Sequence, residues 1–262
     1  MDLSRQPLTA IRARLASDPA PADLGRMLEA LRGDPRRGAR ALAVTLERRL
    51  AARRAESKRI ERLFALRRRL LSEGVQHVAG VDEVGVGPLA GPVVAAAVVL
   101  PPRVDLPGLD DSKALRPAER ERLDAAIRAQ AVALAVACVG ADEIDRINVL
   151  RASLEAMRRA VLGLGVAPDH VLVDARTIPE IAAAQSSIVG GDSRDGSIAA
   201  ASIVAKVYRD ALMRELDALH PGYGFARHKG YPTREHLDAL ERLGPCPIHR
   251  RSFAPVARRT RP

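Results

Sequence analysis

The hydrophobic pattern changes its period near residue 76, and this change constrains the fold more than any other feature. Upstream, apolar residues such as Ile60 and Phe64 recur at the three- and four-residue spacing of one helical face. Downstream, short continuous apolar runs take over, and residues 92–100 (PVVAAAVVL) are typical of a buried strand. The pattern predicts a helical extension over residues 1–75 and an α/β domain over residues 76–262.

Strands and helices alternate in the second part after an initial pair of strands, which favours a mixed sheet flanked by helices. The predicted strands are residues 77–82, 92–100, 131–139, 169–174 and 186–189. The predicted helices of this part are residues 116–130, 148–164 and 197–219. In the extension, Gly33 and Pro35 separate the helices, which are predicted at residues 8–16, 22–32 and about 34–73.

Positive charge is concentrated at the two ends of the chain. Residues 1–75 have 18 Lys and Arg against 9 Asp and Glu, a net charge of +9. Residues 76–220 have 15 against 20, which gives −5, and residues 221–262 have 9 against 3, which gives +6. Basic flanks indicate a polyanionic partner, because each neutralised phosphate releases counterions. A solvated charged surface is the alternative.

The sequence also indicates a compartment. No apolar run approaches the ~20 residues needed to span a bilayer, and the first residues, MDLSRQPLTA, have no secretory apolar segment. Two cysteines, Cys138 and Cys246, make neither a disulfide framework nor a metal cluster. We therefore expect a soluble protein of a reducing compartment, the cytoplasm, that has no membrane partner. We also expect a monomer.

Carboxylates follow several of the predicted strands. Asp82 and Glu83 end the first strand, Asp174 closes the run VLVD, and Asp192 follows two glycines ahead of a long helix. Four carboxylates that converge from strand ends repel one another unless a cation binds between them, and oxygen ligands select Mg²⁺ or Mn²⁺. The alternatives are a solvated strand end for the first two residues and a cap or turn for the others. Spacing alone does not choose between these readings.

Aromatic and basic residues alternate in the last third of the chain, where residues 221–231 read PGYGFARHKGY. Aromatic rings among Arg and Lys can stack on sugars or bases while the cations hold phosphates. Core packing is the alternative for Phe225 and Phe253, and a plain surface tail is the alternative for residues 249–251.

Five blocks of the chain resemble the motifs of the ribonuclease HII family, and they occur in the family's order. Residues 80–100 (GVDEVGVGPLAGPVVAAAVVL) are similar to its opening motif, G-x-D-E-x-G-R-G-P-L-A-G-P-V. Residues 110–115 (DDSKAL) resemble its D-S-K-x-L motif. Residues 173–179 (VDARTIP) and 190–210 resemble its third and fourth acidic blocks, and residues 221–256 its C-terminal block.

The resemblance implies an RNase H-like fold and an endonuclease that cleaves the RNA strand of RNA–DNA hybrids. It also implies incision 5′ to ribonucleotides embedded in duplex DNA, with 5′-phosphate and 3′-hydroxyl products. The family's four catalytic, metal-binding acids correspond to Asp82, Glu83, Asp174 and Asp192, and its cofactor to two Mg²⁺ or Mn²⁺ ions. The extension resembles that of the longer bacterial members, and its role as a duplex-binding arm, a docking element or a stabilising helix stays open.

The resemblance also implies substrate contacts. Lys113 corresponds to a phosphate contact, Tyr231 to a ring that stacks on a sugar, and Ser202 and Lys206 to residues that line the substrate groove. Arg209 lies on the same predicted helix.

The chain departs from the family in one loop, where Gly85-Val86-Gly87 stands for Gly-Arg-Gly. Backbone contacts to a 2′-hydroxyl survive this change, whereas a charge-assisted phosphate contact from the Arg does not. We therefore predict a weaker or altered preference for single embedded ribonucleotides. Two rival functions remain: a nucleic-acid-binding module without activity, and a nuclease of the same fold that needs no ribonucleotide.

Overall fold

In the computed structural model, which describes residues 3, 5–17 and 19–260, the chain divides into two units, Met1–Glu61 and Arg62–Pro262. The first unit contains α1 (Leu8–Ala16), α2 (Pro21–Arg32) and most of α3 (Arg37–Leu63). These helices bury an aliphatic core of their own around Leu24, Met27 and Leu31. The presence of a helical N-terminal region, which the periodicity predicts, is therefore confirmed.

The long predicted helix is interrupted at Phe64, and α4 (Ala65–Ser72) belongs to the second unit. The Phe64 ring lies so close to Gly196 that any side chain at the glycine would overlap it. Arg67 is buried and donates hydrogen bonds to the carbonyls of Leu100 and Pro101 at 2.6 and 2.7 Å. Leu70 is buried in a cluster of the same unit. These contacts explain why α4 packs as part of the second unit.

A mixed sheet of five strands forms the centre of the second unit, which confirms the predicted architecture. The sheet has the order β3-β2-β1-β4-β5. The central β1 pairs antiparallel with β2 and parallel with β4, and β4 pairs parallel with β5. The strands are β1 (Val78–Val84), β2 (Val93–Val99), β3 (Ala133–Val139), β4 (His170–Asp174) and β5 (Ala184–Ile188).

Helices cover both faces of this sheet. On one face Val81 packs in a cluster with Ala156 and Met157 of α7 (Val149–Leu162). On the other face Gly80 touches α9 (Gly196–Leu219) so closely that a Cβ atom would overlap the backbone of Ser197. The remaining helices are α5 (Pro117–Gln130), α6 (Ala141–Ile147), α8 (Gly191–Arg194), α10 (Phe225–His228), α11 (Arg234–Leu243) and α12 (Ala254–Thr260). Within the described ranges no helix has the length and apolarity to cross a membrane.

Candidate active site

The carboxyl ends of the parallel strands β1, β4 and β5 meet at one edge of the sheet, and the predicted acids lie there. Val81 of β1 is level with Val173 of β4, so that Asp82 and Asp174 follow at the same height. Asp192 lies in α8, four residues after the end of β5. The topology thus gathers residues that are far apart in the sequence.

Asp82 points to the face of the sheet that α9 covers, because Val81 faces α7 and successive strand residues alternate. The carboxyl group is 4% exposed, and its Oδ1 accepts the Glu83 N–H at 2.8 Å. Burial raises the pKa of Asp82 well above its usual range, and the charges of Glu83 and Asp174 act in the same direction. The Ser202 hydroxyl opposes this shift.

Glu83 belongs to the opposite, α7-covered face, where Ser153 of α7 lies beside it. Its buried Oε2 has no hydrogen-bond partner in the described part of the chain. Burial and the charge of Asp174 raise the pKa of Glu83, while Ser153 and the Arg176 guanidinium lower it. Negative charge is therefore concentrated here, and the charge of Arg176 offsets it only in part.

Asp174 and Asp192 have different local roles. Asp174 accepts the Gly191 N–H at 2.7 Å and so caps α8. Asp192 is 6% exposed, and its Oδ2 lies 2.6 Å from the Lys113 ammonium. The cap of α9 is Asp195, which accepts the N–H groups of two following residues at 2.8 and 3.3 Å. Asp192 is thus not the cap of the long helix, the alternative considered for it.

The donor chemistry of this edge fits a divalent cation. The four side chains offer only carboxylate oxygens, the ligands preferred by Mg²⁺ and Mn²⁺. The unpartnered oxygen of Glu83 and the raised pKa values of Asp82 and Glu83 are the signs of charge that a cation would compensate. Among the described residues no set of three or more His, Cys, Asp or Glu already has metal-binding geometry. Instead Lys113 pairs with Asp192, and that hydrogen bond raises the pKa of Lys113.

The Gly85-Val86-Gly87 loop follows β1 and is held from beneath by Arg250. This guanidinium donates hydrogen bonds to the carbonyls of Gly85 at 2.6 Å, Val86 at 2.9 Å and Gly91 at 2.8 and 3.0 Å. The Val86 side chain itself is 37% exposed. The alternative of a surface tail at residues 249–251 is wrong for Arg250, which is 0% exposed.

Tyr231 faces this loop: a Cβ atom on Gly87 would lie 3.7 Å from its ring, and the tyrosine is 44% exposed. Its carbonyl accepts a hydrogen bond from Nδ1 of His236 at 2.9 Å. Behind it, Nε2 of His236 lies 3.0 Å from Nε2 of His249. Nδ1 of His249 in turn accepts the backbone N–H of Cys246 at 3.0 Å.

These contacts permit one set of tautomers. A carbonyl oxygen only accepts, so Nδ1 of His236 carries the proton and its Nε2 is an acceptor. His249 must then donate from Nε2 and accept at Nδ1, where the Cys246 N–H arrives. Burial lowers the pKa of His249 to about 4 and also lowers that of His236, which keeps both rings neutral. Phe225 packs against these rings in the core, as its core-packing alternative requires.

The other predicted substrate residues lie along α9. Ser202 is 1% exposed and shares a hydrogen bond of 2.9 Å with Ser112 of the DDSKAL motif, so it supports the site from within. One turn later Lys206 pairs with Asp210 at 2.7 Å. Sequence reasoning missed Ser153 and Arg176, since an isolated Ser on a helix and an Arg after a strand carry no signal of their own.

The comparisons with known proteins agree with this geometry. A family model described as Ribonuclease HII matches residues 79–256. The chain is 54% identical to the ribonuclease HII of Myxococcus xanthus over 95% of this chain and 85% of that protein. It is 52% identical to that of Anaeromyxobacter over 97% of this chain and 81% of that protein. The ribonuclease H2 of Pyrococcus horikoshii superposes with a TM-score of 0.57 at 28% identity, over 70% of this chain and 96% of that one.

Proposed function

Because this chain belongs to the ribonuclease HII family, we propose that Asp82, Glu83, Asp174 and Asp192 hold two Mg²⁺ or Mn²⁺ ions for hydrolysis. As a member of this family, the chain is a type II ribonuclease H endonuclease that acts on RNA–DNA hybrids. The observation that supports the proposed metal site most directly is that all four carboxylates lie at the same edge of the sheet, with a buried Glu83 oxygen left unpartnered. Ions held by these four carboxylates would lower the pKa of the attacking water and would stabilise the charge on the 3′-oxygen leaving group.

The protein's own residues prepare the substrate for this step. Lys113 exchanges the Asp192 carboxylate for a substrate phosphate; the 75% exposure of its side chain, whose Nζ now lies 2.6 Å from Asp192, supports this role. The exposed Tyr231 ring stacks on the sugar beside the cleaved bond. Arg250 fixes the carbonyls of Gly85 and Val86, which leaves the loop rigid for reading a 2′-hydroxyl through its backbone.

We extend the proposal to incision 5′ to ribonucleotides embedded in duplex DNA, with 5′-phosphate and 3′-hydroxyl products. Primer RNA and misincorporated ribonucleotides are the substrates of this class in replication and repair. Cytoplasmic action as a monomer is part of the same proposal. Both cysteines are free thiols, as in a reducing compartment.

The test uses three duplexes: an RNA–DNA hybrid, a DNA duplex with one embedded ribonucleotide, and an all-DNA duplex. Each is incubated with Mg²⁺, Mn²⁺ or EDTA, and product ends are mapped. We expect cleavage of the first two with either metal and none in EDTA. Cleavage of all-DNA duplex would establish a nuclease that needs no ribonucleotide, and binding without cleavage would establish a binding module.

The same assay also tests whether residue 86 affects the preference for a single embedded ribonucleotide. Its exposed side chain lies where the family motif has Arg, and its backbone is already held by Arg250. We expect Val86→Arg to raise the ratio of incision at the single ribonucleotide to hybrid cleavage about tenfold. This factor corresponds to the free energy of a weak charge-assisted hydrogen bond. An unchanged ratio of the two activities would refute this role of residue 86.

A further inference from the structure

A cleft of about 310 Å³ lies beside α9, outside the acidic edge. Five basic side chains line it: Arg120, Lys206, Arg214, Arg227 and Lys229. The acidic side chains that line it are Glu121 and Asp210, so the charged lining has a net charge of +3 (five minus two). This excess lies in a unit whose residues 76–220 are net negative. We call this feature the basic cleft.

Most cations of the basic cleft have one partner: Arg227 pairs with Glu235, and Lys229 donates to the carbonyl of Ala226. Arg120 donates to two backbone carbonyls at 2.5 and 3.0 Å. Asp210 serves both Lys206 at 2.7 Å and Arg120 at 3.9 Å. In the described part of the chain, Arg214 is exposed and makes no hydrogen bond or ion pair. Lys229 is half-buried, and burial lowers its pKa; the charge of Asp210 opposes this shift, whereas the charges of Arg214 and Lys206 add to it. Like charges gathered in this way favour a bound anion.

The backbone that carries Lys229 is fixed. Lys229 has a left-handed conformation with φ of 54°, and its N–H donates to the Phe225 carbonyl at 2.9 Å. Its carbonyl accepts from the buried Arg209 at 3.1 Å. Tyr231 is two residues away. The same turn therefore directs the Tyr231 ring towards the Gly85–Gly87 loop and the Lys229 ammonium towards the basic cleft.

The cleft is aligned with the acidic edge through α9. Ser202, Lys206, Asp210 and Arg214 recur every four residues and so share one face of this helix. At about 1.5 Å of rise per residue, Lys206 is ~6 Å and Arg214 ~18 Å along α9 from Ser202. Because Ser202 lies next to Asp82, the cleft begins one turn from the acids and extends away from them.

We propose that the basic cleft binds a backbone phosphate of the nucleic-acid duplex that is not the phosphate being cleaved. The inference rests on the proposed function and adds a second anchor for the same substrate. Arg214 and Lys229 donate to the phosphate oxygens, and the anion neutralises the excess charge. With an axial rise of about 3.4 Å per nucleotide, this phosphate is two to five linkages from the cleaved one.

The first measurement is binding of an RNA–DNA hybrid in EDTA across a salt series. Arg214→Gln should weaken binding about tenfold at low salt and reduce the slope of log K against log salt by about 0.9. Arg214→Lys should keep the wild-type slope. Arg103→Gln is the matched control, since Arg103 is exposed and follows β2 at the end of the sheet opposite Asp82; it should bind as the wild type does.

The second measurement locates the phosphate. Hybrids that each carry one uncharged methylphosphonate linkage are bound to the wild type and to Arg214→Gln. We expect one linkage, two to five from the cleaved one, whose neutralisation weakens the wild type about tenfold but leaves the variant unchanged. The proposal would be overturned if Arg214→Gln and Arg103→Gln had equal affinity and equal salt slope. It would also be overturned if the loss of affinity from Arg214→Gln added in full to the loss from the methylphosphonate at every linkage.

Cleavage of the unmodified hybrid by the wild type in Mg²⁺ separates the two possible failures. If the wild type cleaves and the variants do not differ, only the basic cleft is refuted. If the wild type neither binds nor cleaves the hybrid, the proposed function falls and this inference falls with it.

Discussion

The acidic edge of the sheet and the C-terminal segment at residues 221–256 both bury ionisable side chains, and they satisfy them differently. At the edge, Glu83 keeps a buried oxygen without a partner among the described residues. In the C-terminal segment, the Arg250 guanidinium makes four hydrogen bonds to backbone carbonyls and the His236–His249 pair is bonded at both ends. The region with uncompensated charge is the one where we propose a bound cation, and the satisfied region fixes the loop beside it.

The physical reason lies in the cost of burial. A buried carboxylate without a partner is expensive, and its pKa rises until protonation or a cation relieves it. A buried guanidinium whose donors meet carbonyls avoids most of this cost. Burial and the nearby Arg209 lower the pKa of Arg250 to about 9, so it stays charged at neutral pH.

The largest expected effect comes from Asp82→Asn. It should lower turnover of the hybrid by about 10⁴-fold, or about 5 kcal/mol, because one of the four proposed metal ligands is lost. In EDTA at pH 7 the same variant should be more stable than the wild type, since a carboxylate whose pKa is raised by burial destabilises the fold at that pH. Urea unfolding and single-turnover cleavage measure the two effects.

Asp23→Asn is the control for this experiment, because Asp23 pairs with Arg26 at 2.6 Å in the first unit. It should leave turnover unchanged and stability within about 0.5 kcal/mol of the wild type. Near-normal turnover of Asp82→Asn, or a loss of stability in EDTA, would show that the acidic edge is satisfied without a ligand.

The next effect is structural and concerns Arg250→Met. It leaves the carbonyls of Gly85, Val86 and Gly91 without their donor, which should lower the free energy of unfolding by about 3 to 5 kcal/mol. Arg251→Met is a control at the adjacent, exposed position, with an expected change of about 0.5 kcal/mol or less. Equal unfolding curves of the two variants would remove the distinction between the two regions.

The same distinction separates what the sequence predicts from what it does not. Apolar runs that end in Asp82 and Asp174 predict both the strands and the convergence of the acids, because parallel strands share their carboxyl ends. Arg250 and His249 give no such signal: a basic run near a C-terminus has the composition of an exposed tail, yet both side chains are buried. The break at Phe64 was missed because a packing contact with Gly196, and no Gly or Pro, ends α3.

The smallest expected effect is a loss of stability at mildly acid pH that originates in His249. Its pKa is about 4 in the folded protein and ~6.5 in an unfolded chain. As the pH falls, the unfolded state therefore binds a proton at His249 before the folded state does. The contribution of neutral His249 to the free energy of unfolding is complete above pH ~6.5, declines below it, and is lost near pH 4. The contribution is about 3 kcal/mol.

Chemical unfolding between pH 7 and 4 of the wild type and of His249→Gln isolates this term, because carboxylates titrate in both proteins and cancel in the difference. The variant should be less stable at pH 7 and lose less on acidification. Protonation of His249 adds a proton at Nδ1, the nitrogen that accepts the backbone N–H of Cys246. Two N–H groups would then face each other, and this hydrogen bond would be lost. The hydrogen-bond chain to the Tyr231 carbonyl then opens, so KM for the hybrid should rise as the pH approaches 4, where the folded protein binds this proton. Parallel stability curves would mean that His249 titrates normally, and that the satisfied region does not depend on a neutral ring.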